Sequence, residues 1–233
     1  MANKRILVIS DLHCPYQHPD AIKFLAAIKD QYEPDTIINI GDELDFHAMS
    51  FHPTDQSLYS AGDELKAGRD AIWEIEELYP KMTLLESNHG SMAYRKAKVA
   101  GIPKEMIRPY KTVLDTKNWK WVPHLEMILP NKQPCYFVHG GATNIRTFMG
   151  EKMMSAVQGH YHEKFEIIYK GNGERLNFGM TVGCLINDES MAFHYNKVFA
   201  KRPIIGCGMI IDSQPKLMPM VLKSNGRWNG RLT

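Results

Sequence analysis

The segment DLHCPYQHPD, residues 11–20, sets Asp11 and His13 two positions apart, just beyond the apolar run Ile6-Leu7-Val8-Ile9. In an extended chain, residues i and i+2 point the same way, so a carboxylate oxygen and an imidazole nitrogen can address one point. A hard-to-borderline divalent cation accepts that pair of ligands. Taken alone, a simpler reading prevails, with Asp11 capping the following helix and His13 a loop residue, because short motifs recur by chance. The pattern, however, repeats. TIINI is followed by Gly41-Asp42, KMTLLE by Ser87-Asn88-His89, PCYFV by His139-Gly140, and SAVQ by Gly159-His160-Tyr161-His162. Five apolar segments therefore end in metal-competent groups. Open α/β sheets gather their ligands at the carboxyl edge of the strands, so these groups can converge on one cleft, and the simpler reading is displaced.

The elements that must position them alternate. KRILVIS, TIINIG and KMTLLES read as strands. Between them, HPDAIKFLAAIKDQY reads as a helix with Ile22, Leu25, Ala26 and Ile28 in its stripe. AGDELKAGRDAIWEIEELYP is a second helix, with Leu65, Ile72, Ile75 and Tyr79 on one face and Pro80 ending it. Strands separated by helices imply a parallel sheet sealed by crossover helices. Residues 91–115 read as helical with a break near Gly101-Ile102-Pro103. From Trp119 onward the texture becomes β-rich, with KGNGER supplying a hairpin turn. The simplest architecture is one domain over 1–233, its N-terminal half βαβ and its C-terminal half a second sheet.

Composition is that of an ordinary globular protein: 233 residues, 44% hydrophobic, 23% charged, formal net charge +2. The charge is uneven, for Lys197, Lys201, Arg202, Lys216, Lys223, Arg227 and Arg231 stand against Asp212 alone after Met191. This basic, β-rich C-terminal segment is either a solvated tail or a surface that attracts an anionic substrate. Cys14, Cys135, Cys184 and Cys207 show no CxxC spacing, and no apolar leader precedes the first strand, so reduced thiols and a cytoplasmic setting are expected. No run approaches the ~18 apolar residues that a membrane span needs.

The blocks DLH, GDELD, SNHG, VHGG and GHYH, in that order, resemble the calcineurin-like metallophosphoesterase superfamily, whose pattern runs D-x-H, G-D-x-x-D/N, G-N-H-E/D, H and G-H-x-H. The resemblance covers residues 4 to about 165. The wider texture, SDLHCPYQHPDAIKF and GDELDFHAMS, looks like the small members carried by bacteriophages and prophages, which would place the chain in a host cytoplasm. The resemblance implies a four-layer αββα sandwich with two divalent metals at its strand ends. Asp11, His13 and His162 would hold one, Asn88, His139 and His160 the other, and Asp42 would bridge them. Mixed nitrogen and oxygen ligation suits Mn²⁺, Fe, Zn²⁺ or Co²⁺ better than Mg²⁺ or Ca²⁺ without choosing among them, and two divalent ions are expected, Mn²⁺ first, with Fe, Zn²⁺, Co²⁺ or Ni²⁺ as alternatives. Two such cations would activate water for in-line attack on a phosphate ester. Family members protonate the leaving oxygen with the histidine next to the metal-binding asparagine, here His89.

Three departures shape the reading. Ser87 replaces the usual glycine and Gly90 the usual acidic residue that supports the catalytic histidine. Asp45-Phe46-His47 replaces the D-R-G run whose arginine grips phosphate in the superfamily's protein phosphatases, which turns the expectation towards phosphodiesters or nucleotides. His47 and His52 lie beyond the ligand set, as substrate contacts or loop residues, and Asp45 is expected to orient a ligand. His18, His124 and His194 are read as structural, and Met153 and Met154 as core filler. The function expected is a metal-dependent phosphohydrolase for diesters or nucleotides, including a nuclease that stacks bases on Trp119, Trp121 or Trp228. A nucleotidase and a non-catalytic interaction module with a structural metal centre are the alternatives.

Overall fold

The computed structural model describes residues 4–51, 54–55, 57–190 and 202–232. His52, His194, Lys197 and Lys201 lie outside the described residues, as does most of the start of the basic segment.

β1 (Arg5–Ile9), β2 (Thr36–Asn39), β3 (Thr83–Leu85) and β4 (Lys120–Val122) pair in parallel, side by side. The first two crossovers are α1 (Ala21–Tyr32) and α2 (Ala61–Leu78). Ser60 caps α2 by accepting the Asp63 N–H, and the acidic first turn suits the helix dipole. The third connection holds α3 (Met92–Val99), a 3₁₀ turn at Lys104–Met106 and α4 (Tyr110–Leu114), with the expected break between them. A second sheet follows the order β5 (Leu125–Ile128), β6 (Pro134–Val138), β7 (Ser155–Gln158), β9 (Leu176–Val182), β8 (Phe165–Gly171). Its central pairs β6–β7 and β7–β9 are parallel, and β8–β9 is the expected hairpin. α5 (Ile145–Lys152) links β6 to β7.

Alternation along β1 builds the layers. Ile6 and Val8 pack with Ile38, Phe137, Val157 and Met180 between the two sheets. Leu7 and Ile9 face the other way, onto Phe24, Leu25 and Ile28 of α1 and Ile72 and Ile75 of α2. Ile145, Phe148 and Met149 of α5 cover the far face of the second sheet. The inner strands β1 and β2 are thus buried on both faces and nearly continuous in apolar residues, whereas β5 and β8 at the edges of the second sheet are partly exposed. The result is the four-layer αββα sandwich.

Four details differ from the sequence reading. The C-terminal strands β10 (Gly206–Ile211) and β11 (Gln214–Pro219) return to the first sheet, β10 lying antiparallel to β1, and β4 also joins that sheet. Only β5 to β9 build the second. The stripe of α1 centres on Ala21, Phe24, Leu25 and Ile28, with Ile22 only partly buried. α5 was not foreseen. Met153, just past its end, is 78% exposed in a left-handed turn and fills no core.

Candidate metal centre

β1, β2 and β3 run parallel in one sheet, and β6 and β7 in the other, so the loops after all five come to one edge. Those loops carry Asp11 and His13, Asp42, Asn88, His139, and His160 with His162. Asp11, His13, Asp42 and His160 all adopt positive φ, of 52°, 51°, 54° and 67°. Non-glycine residues rarely do so, and such strain gathers at functional sites. Gly41, at φ 109°, lets the chain turn beside Ser87, whose Cβ would lie 2.5 Å from any Cβ added there.

The side chains converge in two groups joined by one residue. Asp11, His13 and His162 offer ligand atoms within 4.8 Å of one another, as do Asp42, His139 and His160. His162 Nε2 lies 3.0 Å and His13 Nε2 3.6 Å from Asp11 Oδ1. In the second group, His139 Nδ1 donates to the Ile40 carbonyl at 3.0 Å. Its Nε2 then faces Asn88 Oδ1 at 2.7 Å, Asp42 Oδ2 at 3.0 Å and His160 Nδ1 at 3.2 Å. The same Asp42 Oδ2 stands 3.7 Å from His13 Nε2, so one oxygen serves both groups. All seven sequence-predicted ligands are brought together.

This donor set fits divalent cations. A proton on His139 Nε2 can serve one of its three neighbours at a time, whereas a cation among them can serve all. The electrostatics point the same way. Burial opposes charge on His139, yet the Asp42 carboxylate pushes the imidazole up to about 9. Burial would likewise lower His13, but Asp11 and Asp45 carry it well above its ordinary value. Burial favours protonated Asp42, yet His139, His89 and His13 hold it well below the usual carboxylate range. Asp11 behaves similarly, through His13 and His162. Positive charge is favoured among these carboxylates, and an arriving metal would displace protons.

The surrounding shell fixes the ligands. His13 Nδ1 donates to Asp45 Oδ1 at 2.6 Å, which orients the ring and leaves Nε2 for the cleft. Asp11 Oδ2 accepts the Ser10 hydroxyl and, at 2.9 Å, the His160 N–H. Ser87, which the sequence presented only as a departure, proves structural to the site. Its Oγ accepts the N–H groups of Asp42 at 3.0 Å and Gly90 at 3.1 Å. Gln158, the last residue of β7, accepts the Gly141 N–H at 3.1 Å and so holds the loop after His139. Nothing in a single polar residue at a strand end distinguishes Ser87 or Gln158 before the fold is known.

His89 lies beside the ligands. Its N–H donates to Asp42 Oδ1 at 3.0 Å, and its ring meets that of His13 edge-on at 4.6 Å. His13, Asp42 and His89 also form a third close group. His89 Nδ1 hydrogen-bonds the Asp45 backbone carbonyl, and the Asp45 carboxylate is 3.7 Å away. Burial lowers the His89 imidazole below its ordinary value. The support that an acid at position 90 would give comes here from Asp45. His47 is buried, not a surface loop residue. Its Nε2 accepts the Asp55 N–H at 3.0 Å, while the Glu64 carboxylate accepts the His47 and Ala48 N–H groups at 2.6 and 2.8 Å.

The family model described as calcineurin-like phosphoesterase matches residues 4–197. The chain belongs to this family. No curated protein matches the sequence. Among solved structures, this calcineurin-like phosphoesterase resembles Vacuolar Protein Sorting 29 from Cryptosporidium parvum, at 11% identity and TM-score 0.53 over 99% of this chain and 95% of that one. Chaetomium thermophilum Vps29, solved with a cyclic peptide, gives 10% identity and TM-score 0.51 over 98% and 94%. The phosphoesterase YfcE from E. coli gives 14% identity and TM-score 0.45 over 88% and 87%. The two likenesses with TM-scores above 0.5, at these identities, speak to fold alone. No helix among the described residues is long and apolar enough to cross a membrane.

Proposed function

We propose that the protein is a metal-dependent phosphohydrolase that cleaves phosphodiesters or nucleotide phosphate esters at a two-metal centre. One observation carries the reading: Asp42 Oδ2 faces both the His13 and the His139 imidazoles, at 3.7 and 3.0 Å, in the middle of two complete donor groups. Asp11, His13 and His162 would hold one cation, Asn88, His139 and His160 the other, and Asp42 would bridge. Mn²⁺ is the ion proposed, and the mixed imidazole and carboxylate donors are equally compatible with Fe, Zn²⁺, Co²⁺ or Ni²⁺. Such cations, when bound, supply Lewis acidity that activates water and neutralises phosphoryl charge.

The chain supplies the rest. His13 is held to one tautomer by Asp45 and His139 by Ile40, so each presents Nε2 without reorganisation during the reaction. His89, with Nδ1 engaged by the Asp45 carbonyl, keeps Nε2 for the leaving oxygen. Burial disfavours its protonated form, and the negative charge of a bound phosphate would restore it. Where protein phosphatases of the superfamily carry an arginine, Phe46 is buried against Tyr110 and His47 is occupied by Asp55. No cation grips a phosphoprotein there, which supports diester or nucleotide substrates. The four buried, unpaired thiols support a reducing, cytoplasmic setting.

The test compares bis(p-nitrophenyl) phosphate, p-nitrophenyl phosphate and a phosphopeptide with Mn²⁺ added. Diester turnover above the other two supports the proposal. Monoester preference makes the protein a nucleotidase. Retained metal with no turnover makes it an interaction module.

A further inference from the structure

In the C-terminal segment expected to bind nucleic acid, Arg227 and Lys216 are engaged within the fold, while Arg202, Lys223 and Arg231 make no salt bridge among the described residues. The Arg227 guanidinium embraces the Asp20 carboxylate, with Nε at 2.7 Å, and Trp228 donates its N–H to Asp20 and packs its ring edge-on against Phe24. Lys216 donates to the Tyr32 hydroxyl at 2.8 Å. Trp119 is 6% exposed and gives its indole N–H to Tyr79, while Trp121 packs edge-on against Tyr110. Trp119 is buried, and the half-buried Trp121 and Trp228 are each partly covered by these contacts.

A different surface has the missing chemistry. From Met92 to Lys111 the chain carries Arg95, Lys96, Lys98, Lys104, Arg108 and Lys111 against Glu105 alone. Among the described residues, no salt bridge engages any of the six. Arg95 and Lys98 stand three apart on α3, where like charges repel. Lys96 and Lys98 in the last turn complement the helix dipole. That accounts for those two, as the last turn of α4 accounts for Lys111, and leaves Arg95, Lys104 and Arg108 unexplained. Two exposed aromatic rings lie among these cations. Phe51, 47% exposed, has the Lys96 ammonium 4.3 Å and the Arg95 guanidinium 5.0 Å from its ring centre. Tyr94 has Lys104 at 5.4 Å. The surface begins at the metal centre itself, because Arg95 donates to the Asn88 carbonyl at 3.5 Å.

We propose that this face of α3, with Phe51 as its stacking platform, binds single-stranded nucleic acid and leads the strand to the metal centre. The proposal rests on the phosphodiesterase reading above and names its substrate class. Unpaired cations beside exposed rings are what a backbone and its splayed bases require. A duplex keeps its base faces stacked away from Phe51, so the single strand is the form that fits.

Fluorescence polarisation of a labelled oligothymidylate dodecamer and of its abasic counterpart, in EDTA to prevent cleavage, tests this on the full chain. The wild type is expected to bind the dodecamer with a steep salt dependence. R95Q/K96Q/K98Q should flatten the log–log salt slope by about 2, at about 0.7 per lost phosphate contact. Phe51→Ala should weaken the dodecamer at least about fivefold, the low end for one base–aromatic stack, and the abasic strand by less than twofold. Unchanged far-ultraviolet circular dichroism shows that the variants are folded. A slope indifferent to the triple variant overturns the proposal, as does equal loss on both strands in Phe51→Ala, or binding to phosphatidylserine vesicles in place of the dodecamer. Wild-type turnover of bis(p-nitrophenyl) phosphate reports on hydrolysis alone. Turnover without oligonucleotide binding removes this surface and keeps the hydrolase, and binding without turnover does the reverse.

Discussion

Asp45 supports two functions with two different groups, and substitution of its side chain should separate them. Its carboxylate accepts His13 Nδ1 at 2.6 Å, with both residues buried, while its backbone carbonyl holds His89 Nδ1. Asp45→Ala removes the first, and with it the carboxylate 3.7 Å from His89 Nδ1, but leaves the carbonyl contact in place. A hydrogen bond to a charged group contributes about 1.5–3 kcal/mol, and each 1.4 kcal/mol is about tenfold in affinity. The His13 site should therefore bind its metal about 10–100-fold more weakly, the usual scale for an outer partner of a metal-binding histidine. Asp45→Asn keeps the shape and a neutral acceptor, so its loss should be smaller, about 5–10-fold by the difference between charged and neutral bonds. The His139 site should be unmoved, because Ile40 orients that ring. Metal titration against a chromophoric chelator resolves the two affinities. Equal weakening of both sites, or none in Asp45→Ala, would refute the division of labour.

The bridging assignment predicts that Asp42→Asn removes metal at both sites; near-full occupancy by mass spectrometry after dialysis would sink it. His89→Ala should slow cleavage of an alkyl phosphate ester at least about tenfold more than that of a p-nitrophenyl ester, within the 10²–10⁴-fold range of general acid catalysis, with both metals retained. Equal losses would mean that His89 positions phosphate instead. Far from the centre, the Arg227 guanidinium holds Asp20 well below the usual carboxylate range. A depressed carboxyl stabilises the fold above its unfolded value of about 3.9 and loses that contribution as the pH falls further. The stability gap between wild type and Asp20→Asn in urea should accordingly be largest near neutrality and shrink below about pH 4. Gly90→Asp should not recover the family's acid: a Cβ there meets the Tyr110 ring at 2.9 Å and Ser87 Oγ at 3.1 Å. The expected outcome is a loss of about 1–3 kcal/mol from overpacking, read by denaturant melts, without a gain in rate.

The site was more legible than the sheets around it. Asp11, Asp42, Asn88, His139 and His160 each follow a continuous apolar run, and such runs mark strands buried on both faces whatever their neighbours. Which sheet a strand joins is not written in it. GCGMII of β10 carries no sign that it will lie antiparallel to β1, and the three-residue β4 is too short for any pattern. α5 hid behind Thr147 and Gly150, although Asn144, which caps it by accepting the Arg146 N–H at 2.9 Å, is a readable start signal. Charge misled for a related reason. Arg227 counts as free in a sequence, and only the fold brings Asp20 to it from 207 residues away.

The replacement of the usual acid by Gly90 illustrates how one position can change while the arrangement around it persists. With no carboxylate at 90, His89 would be expected to lose its orientation. Instead the chain reverses direction at Phe46, at φ 55°, and turns the Asp45 carbonyl towards His89 while the Asp45 carboxylate reaches His13. Glu64 fixes that reversal from α2 by accepting two successive N–H groups, those of His47 and Ala48. Burial raises Glu64 to about 7, against the lowering effect of these two bonds. The space that an acid at 90 would need is filled by Tyr110, packed between Phe46 and Trp121. Gly90, Asp45, Glu64 and Tyr110 thus lie in one contiguous set of contacts, and His89 is held in place without an acid at position 90.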